Sequence, residues 1–207
     1  MLLGLFSRHT RILGVAAAAL GFFALSGANA HAALISTDAC DNAALTQPFA
    51  PWGDTSLYKL VPGGSFEKGS ASWTLTGGAR VIAGSEPFGA TGSVGSDSVA
   101  IHAGGSATSP FTCVDAAYPT FRFFARNNGL LSTVLVQVVY KLPLLGPVAV
   151  PVGTVALSGT WAPSLPMLTA SAVTGLLSGG TTQVALRFTA LTGSSQIDDV
   201  FVDPRMH

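Results

Sequence analysis

The sequence has few charged residues, only two cysteines and no long hydrophobic run. Charged residues make up 10% of its 207 residues, against roughly 25% in an average soluble domain. Ten acidic and ten basic residues cancel to a formal net charge of zero. This disfavours nucleic acid as a partner, because no overall positive field would attract a phosphate backbone. The hydrophobic content of 48% is enough for one buried core, and the length favours a single folded domain.

The first 32 residues have the layout of a signal peptide. Two arginines, Arg8 and Arg11, precede an apolar run over 12–25, and small residues follow it. Cleavage after Ala30 and cleavage after Ala32 fit the small-residue rule equally well. The apolar run is shorter than the roughly 20 residues that span a bilayer, so the sequence predicts secretion and no stable membrane anchor.

Export would place the two cysteines, Cys40 and Cys113, in a compartment where disulfides persist. We therefore predict that they form a disulfide, with two free buried thiols as the alternative. On the chain-entropy model, closing this loop stabilises the fold by about 4 kcal/mol.

Beyond residue 32 the sequence predicts an all-β chain. Short runs rich in Val, Thr and Phe alternate with Gly, Pro, Asn and Ser, which is typical of strands and turns. We predict a lead-in segment over 33–56 and an antiparallel β-sandwich of the jelly-roll type over 57–207. The Asn127-Asn128-Gly129 turn predicts that its two flanking strands form a hairpin, and 142–151, with three prolines, is predicted to be a loop or an edge strand. The predicted strands are 58–61, 72–76, 80–83, 98–102, 120–126, 133–142, 148–157, 183–189 and 197–202.

Two segments resemble jelly-roll carbohydrate-binding modules with a galactose-binding-like fold. They are Gly63-Gly64-Ser65-Phe66-Glu67, followed by Trp73, and the closing Ile197-Asp198-Asp199-Val200-Phe201-Val202. The resemblance implies that the first segment opens the sandwich, that the second is its last strand, and that a structural calcium often joins their acidic groups. Ser65 departs from the pattern, since the modules usually have Gly or Asn next to Phe.

A likeness to an uncharacterised family of secreted bacterial proteins extends along the mature chain. It rests on Cys40-Asp41, Gln47-Pro48-Phe49, Pro51-Trp52, Glu86-Pro87-Phe88, Cys113-Val114 and the run Phe121-Arg122-Phe123-Phe124-Ala125-Arg126. This resemblance implies export, the disulfide and the sandwich, and it implies nothing about chemistry.

The candidate metal ligands are Glu67, Asp198 and Asp199, whose carboxylates supply the hard oxygens that calcium prefers. Strand alternation would let only one of the adjacent aspartates point at a given site, so Glu67 and Asp199 are the first choices. The alternative is a turn residue with solvated carboxylates at a sheet edge.

Trp52, Tyr140 and Trp161 are the candidate ligand-binding residues, because flat aromatic rings stack on the C–H faces of sugars. Packing in the core is the competing interpretation for each of them. Arg122 and Arg126 share one face of a strand, where they are expected either to meet an anionic ligand or to pair with Asp115 or Glu86.

The sequence shows no catalytic signature. It has no Gly-x-Ser-x-Gly elbow, and its only histidine far from the chain ends is His102. We therefore predict a secreted, monomeric, non-enzymatic binding or surface-interaction module with extracellular carbohydrate as the favoured ligand. The alternatives are a secreted hydrolase built on His102 or two carboxylates, and a structural envelope or matrix protein without a pocket.

Overall fold

The computed structural model describes residues 41–115, 120–129, 131–142, 146–169 and 181–204. The predicted signal peptide and Cys40 lie outside these ranges. A 3-10 turn, Ala50–Trp52, precedes thirteen strands. The strands are β1 Lys59–Leu60, β2 Thr74–Thr76, β3 Arg80–Ala83, β4 Asp97–His102, β5 Ser106–Thr108, β6 Thr112–Asp115, β7 Thr120–Asn127, β8 Ser132–Leu142, β9 Gly146–Leu157, β10 Ala162–Pro163, β11 Met167–Leu168, β12 Thr181–Thr192 and β13 Ser194–Asp203.

The strands form two antiparallel sheets. The seven-stranded sheet has the order β10-β7-β13-β4-β3, with β1 also paired to β13 and β11 to β7. The six-stranded sheet has the order β2-β5-β12-β8-β9, with β6 paired to β12. This architecture confirms the predicted antiparallel β-sandwich of the jelly-roll type.

The main core lies between the two sheets and follows from strand alternation. In β8 the side chains of Val134, Val136 and Val138 are fully buried, and Phe123 of β7 meets Phe188 of β12 across the sandwich at 4.8 Å between ring centroids. Each such side chain contributes about 1.5–3 kcal/mol when it is removed from water. On the opposite face of β7, Phe124 belongs to a second buried cluster.

The predicted hairpin at Asn127-Asn128-Gly129 is wrong. β7 pairs with β13 in one sheet, whereas β8 pairs with β9 and β12 in the other. The backbone amides of Asn127 and Asn128 bond to the carbonyls of Ser158 and Ser194. The turn residues therefore carry the chain from one sheet to the other, a crossing that local turn chemistry does not distinguish from a hairpin.

A further sequence prediction concerns the edge of a sheet. β9 is the last strand in the path of its sheet and contains Pro147 and Pro151, which confirms the edge-strand alternative for 146–151, whereas 143–145 lie outside the described residues. Within the described residues, no helix is long and apolar enough to cross a membrane.

Candidate functional site

An open groove of about 730 Å³ lies over the outer face of the seven-stranded sheet. One wall is the lead-in segment, including Gln47 and Trp52, and the other is the loop 88–92. Leu60 of β1 and Phe201 of β13 also line the groove. We call this the aromatic groove, because its walls present two exposed rings, described next.

The ring pair is formed by Trp52 and Phe88. Pro51 is the second residue of the 3-10 turn Ala50–Trp52, and Gly53 ends the turn with a left-handed φ of 80°, a conformation that favours glycine. The two rings meet edge to face, with centroids 4.9 Å apart, and both contact Phe124 of β7. Trp52 is 38% exposed and Phe88 47% exposed. The pair is therefore supported from below and open to a ligand from the groove.

A second hydrophobic cluster fixes the lead-in wall to the sheet. Phe49 is fully buried against Tyr58, Phe124 and Phe201, with centroid distances of 5.0, 5.3 and 5.6 Å. The bridge between Thr46 and Tyr58 adds backbone hydrogen bonds of 2.8 Å in both directions. Because Phe49 lies three residues before Trp52, this cluster sets the position of the exposed indole.

A buried ion pair beside this cluster joins the lead-in segment to β7. Arg122 Nη1 donates to Asp54 Oδ2 at 2.7 Å, and the Tyr58 hydroxyl donates to the same oxygen at 2.8 Å. The guanidinium also lies 4.3 Å from the ring centroid of Phe49. Partial burial acts to raise the pKa of Asp54, but the hydrogen bonds from Arg122 and Tyr58 outweigh it and hold that pKa below its ordinary value.

The two segments that resemble carbohydrate-binding modules meet in space. The amide of Val200 donates to the carbonyl of Gly64 at 3.1 Å, and the amide of Val61 donates to the carbonyl of Val200 at 2.9 Å. A Cβ on Gly64 would lie 2.9 Å from the carbonyl oxygens of both Val61 and Val200. Glycine is therefore required for this close approach.

The expectation that only one of the adjacent aspartates can point at a given site is wrong, because both carboxyls lie beside that of Glu86. The pairing of β13 with β7 is interrupted between Asp198 and Phe201, and Asp199 takes a left-handed φ of 44°. Such a bulge breaks the alternation of side chains along the strand. As a result Asp198 is fully buried and Asp199 is 3% exposed.

Loop 84–96 covers the two aspartates and adds a third buried carboxylate, that of Glu86. Asp198 Oδ2 accepts from the Ser85 hydroxyl at 2.6 Å and from the Glu86 amide at 3.0 Å. Glu86 is fully buried and accepts from the amides of Phe88 and Ala90. Glu86 therefore shapes the loop that presents Phe88 to the groove.

Burial dominates the electrostatics of these carboxyls. It raises the pKa of Asp198 to about 7, with a further contribution from Glu86, although hydrogen bonds from Ser85 and two backbone amides oppose the rise. Burial also raises the pKa of Asp199 to about 8, and the charges of Asp198 and Glu86 and a hydrogen bond with Glu86 add to that rise. Asp199 therefore holds its proton more tightly than an exposed carboxyl does.

We call Glu86, Asp198 and Asp199, with Glu67 at their rim, the acidic cluster. The charge of Glu67 raises the pKa of Asp199 further. The Glu67 carboxylate accepts hydrogen bonds from the Ser96 amide, the Ser96 hydroxyl and the Asp97 amide at 2.8–3.0 Å. Across the described ranges, no three His, Cys, Asp or Glu side chains form a group that could hold a metal ion. The calcium ligands thus stay a prediction.

The other predicted binding residues lie elsewhere. Tyr140 is 1% exposed in the main core, and its hydroxyl donates to the Thr169 carbonyl, which corrects the expectation that its ring faces a ligand. Trp161 is half-buried against the second cluster, with the Arg126 guanidinium 5.1 Å from its ring centroid. Cys113 is 8% exposed on β6, and its pairing with Cys40 stays a prediction because Cys40 lies outside the described residues.

Sequence reasoning missed Phe88 and Glu86 as parts of the site. Both belong to the Glu86-Pro87-Phe88 string that contributed to the likeness with secreted bacterial proteins. The string gave no hint of a role, because Phe88 meets Trp52 only after two distant segments of the chain fold onto one sheet.

Comparison with known proteins agrees with this fold. No family model and no curated protein matches the chain. Among solved structures, the CBM22-1 and GH10 modules of Clostridium thermocellum endo-1,4-β-D-xylanase 10B, complexed with xylohexaose, give a TM-score of 0.50 at 17% identity over 68% of this chain and 28% of that chain. The CBM22-1 xylan-binding domain of Paenibacillus barcinonensis Xyn10C gives 0.49 at 12% identity over 70% and 93% of the two chains.

A third similar structure, TmCBM61 in complex with β-1,4-galactotriose, gives a TM-score of 0.43 at 13% identity over 69% of this chain and 96% of that chain. At such low identities the likeness concerns the fold alone. The chain therefore has the jelly-roll fold found in carbohydrate-binding modules, and it spans less than a third of the xylanase structure.

Proposed function

We propose that the chain is a secreted, monomeric, non-catalytic carbohydrate-binding module that holds a sugar ring in the aromatic groove. The exposed pair of Trp52 and Phe88 carries this proposal. The two rings are rigidly supported on Phe124, so they offer apolar surface to a sugar with little loss of side-chain entropy on binding. Polar groups of the groove, such as Gln47 and Thr91, are placed to meet sugar hydroxyls at its edges.

The placement of the perturbed carboxyls supports a non-catalytic role. A general acid must reach the substrate, within hydrogen-bond distance or through one water. Asp198, Asp199 and Glu86 are at most 3% exposed, behind loop 84–96, and their oxygens bond to that loop and to one another. The raised pKa values of Asp198 and Asp199 accordingly follow from burial in a structural position.

The binding test measures the affinity of the full chain by isothermal titration calorimetry. Xylohexaose, the ligand of the xylanase structure, is the first probe, and a glycan array is the second. Trp52→Ala is expected to weaken binding by about tenfold or more, since a ring lost from a binding site commonly costs more than about 1.4 kcal/mol. Phe111→Ala is the matched control, because Phe111 is 37% exposed and lies outside the groove. Absence of binding to every glycan, or equal losses in both variants, would contradict the proposal.

We also propose that the acidic cluster binds structural calcium. The donor chemistry fits, because carboxylate oxygens are hard ligands and a divalent cation would offset the repulsion among Glu67, Glu86, Asp198 and Asp199. The present arrangement opposes it, since the described carboxyls as placed form no group that could hold a metal ion and burial favours the protonated form of Asp199. Calcium is expected to raise the melting temperature relative to EDTA, and Asp199→Asn to remove that rise. An unchanged melting temperature at millimolar calcium would refute this part.

A further inference from the structure

The outer face of the seven-stranded sheet carries a second polar feature, a row of residues that runs from β7 to β3 and does not line the aromatic groove. Cross-strand pairing places Arg126 of β7 opposite Gln196 of β13, Gln196 opposite Ala100 of β4, and Ala100 opposite Arg80 of β3. All four lie on the outer face, because their neighbours along each strand fill the main core. We call this set the arginine row. Three strand spacings of about 4.8 Å separate the backbones of Arg80 and Arg126 by about 14 Å.

The positive charge of the arginine row is not compensated. In the described part of the chain, the ion pairs join Lys59 to Asp41 and Arg122 to Asp54, and neither involves Arg80 or Arg126. Arg122 pairs with Asp54, which is neither of the two partners expected from the sequence, Asp115 and Glu86. For Arg126, the alternative that it meets an anionic ligand stays a prediction. Two permanent charges thus face outward on one sheet surface without an ion-pair partner among the described residues.

The guanidinium groups of the row are held in place by neutral partners. Arg126 lies over the Trp161 ring, and its Nε donates to Oε1 of Gln196, which is 2% exposed. Arg80 Nη1 lies 3.1 Å from His102 Nε2, and because arginine only donates, the imidazole nitrogen accepts. Both arginines keep unused N–H donors for a ligand, in an orientation already fixed before binding.

Two unused hydroxyl groups border the row. Ser98 lies two residues before Ala100 on the same face of β4, and Ser194 lies two residues before Gln196 on β13. Among the described residues, the Oγ atoms of both serines are buried and without a hydrogen-bond partner. Because both oxygens are buried, neither hydroxyl is placed to meet a ligand, and the arginine side chains alone carry the inference.

We propose that the arginine row binds the anionic groups, carboxylate or sulfate ester, of an acidic polysaccharide. The proposal rests on the proposed carbohydrate-binding function for the sugar part of the ligand, but it uses residues outside the aromatic groove. Planar guanidinium groups match the geometry of these anions, and a spacing of about 14 Å suits charges repeated along a chain. Nucleic acid is disfavoured as the ligand, because two arginines on a protein of zero net charge would neutralise few phosphates.

The test measures the affinity of the full chain for polygalacturonate by isothermal titration calorimetry, at low and high ionic strength. Methyl-esterified polygalacturonate is the neutral probe, and dextran sulfate distinguishes sulfate from carboxylate.

Arg80→Gln and Arg126→Gln are each expected to raise the dissociation constant about tenfold, since each removes charged hydrogen bonds. Arg126→Lys keeps the charge but loses the planar fork, and is expected to recover only part of the affinity. Arg187→Gln is the matched control, because Arg187 lies in the six-stranded sheet, where its Nε donates to Thr108.

The outcomes separate this proposal from the previous one. Selective loss of polygalacturonate or dextran sulfate binding in the two row variants, with unchanged binding in Arg187→Gln, supports the arginine row. Four results would overturn it. They are equal affinity for the esterified probe, equal losses in all three variants, tighter binding of single-stranded DNA, and no binding to either anionic polymer. The row variants are expected to keep their affinity for the neutral glycan of the aromatic groove. Arg80 is exposed, so its variant also guards against a folding defect caused by changing Arg126.

Discussion

Replacing Asp54 by asparagine removes the negative charge that faces the buried guanidinium of Arg122. The Arg122 side chain is 6% exposed and that of Asp54 is 15% exposed, so little water is available to take over the lost interaction. Removal of one partner from a buried ion pair typically costs about 3–5 kcal/mol. The Tyr58 hydroxyl and the Ser56 amide also lose a charged acceptor. We therefore expect Asp54→Asn to lower the free energy of unfolding by at least about 3 kcal/mol.

The assay is urea unfolding of the full chain, followed by tryptophan fluorescence. For a protein of this size, about 3 kcal/mol corresponds to a melting temperature at least about 6 °C lower. The double variant Asp54→Asn with Arg122→Met is expected to recover much of the loss, since it leaves no unpaired buried charge. Asp97→Asn is the control, because Asp97 is part-buried and in no ion pair of the described residues. A loss below about 1 kcal/mol for Asp54→Asn would refute a buried, stabilising ion pair.

The same ion pair predicts a dependence on pH. The pKa of Asp54 is lower in the folded than in the unfolded chain, where it is about 3.9. Its contribution to stability is therefore complete above the unfolded pKa and is lost as the pH falls through the folded pKa. The difference in unfolding free energy between the native chain and Asp54→Asn should be constant near neutral pH and shrink below about pH 4. A difference that grows on acidification would contradict this sign.

Three smaller predictions concern single positions in the fold. Gly64→Ala is expected to cost about 1–3 kcal/mol, because its Cβ would meet two backbone carbonyls, whereas Gly159→Ala, with space around it, should be nearly neutral in the same unfolding assay. Tyr140→Phe removes the bond to the Thr169 carbonyl and should cost about 1 kcal/mol by denaturant titration, and no loss would argue against that bond. Reduction of the chain purified under oxidising conditions should lower its melting temperature if Cys40 and Cys113 are bonded, and an unchanged intact mass on reduction would exclude the bond.

Much of the fold could be predicted from local patterns. The strands at 80–83, 133–142 and 148–157 correspond to β3, β8 and β9 within two residues at each end, because their β-branched residues suit a pleated surface. The short strands β5, β6, β10 and β11 were missed, since two to four residues give no measurable period. The order of strands in the sheets was also beyond such patterns, as the error at Asn127-Asn128-Gly129 illustrates.

The candidate site could be predicted only in fragments. Trp52 was identified by residue type, but Tyr140 was selected on the same grounds and is buried, because exposure depends on what packs over a ring. Asp198 and Asp199 were both identified, whereas the bulge that buries them together was not, because it is a local break in the pairing of β13 with β7. Glu86 and Phe88 acquire their roles only when loop 84–96 closes over β13.

The sequence by itself determined that this chain forms strands and which side chains face the core. The alternation of apolar and polar residues fixes the inward face of a strand such as β8, where Val134, Val136 and Val138 are buried. The low content of charged residues leaves a surface rich in hydroxyl groups. The tertiary structure alone decided which strands are neighbours. The aromatic groove, the acidic cluster and the arginine row each combine residues from distant segments, and their contacts depend on pairing register and loop closure, which no local period encodes.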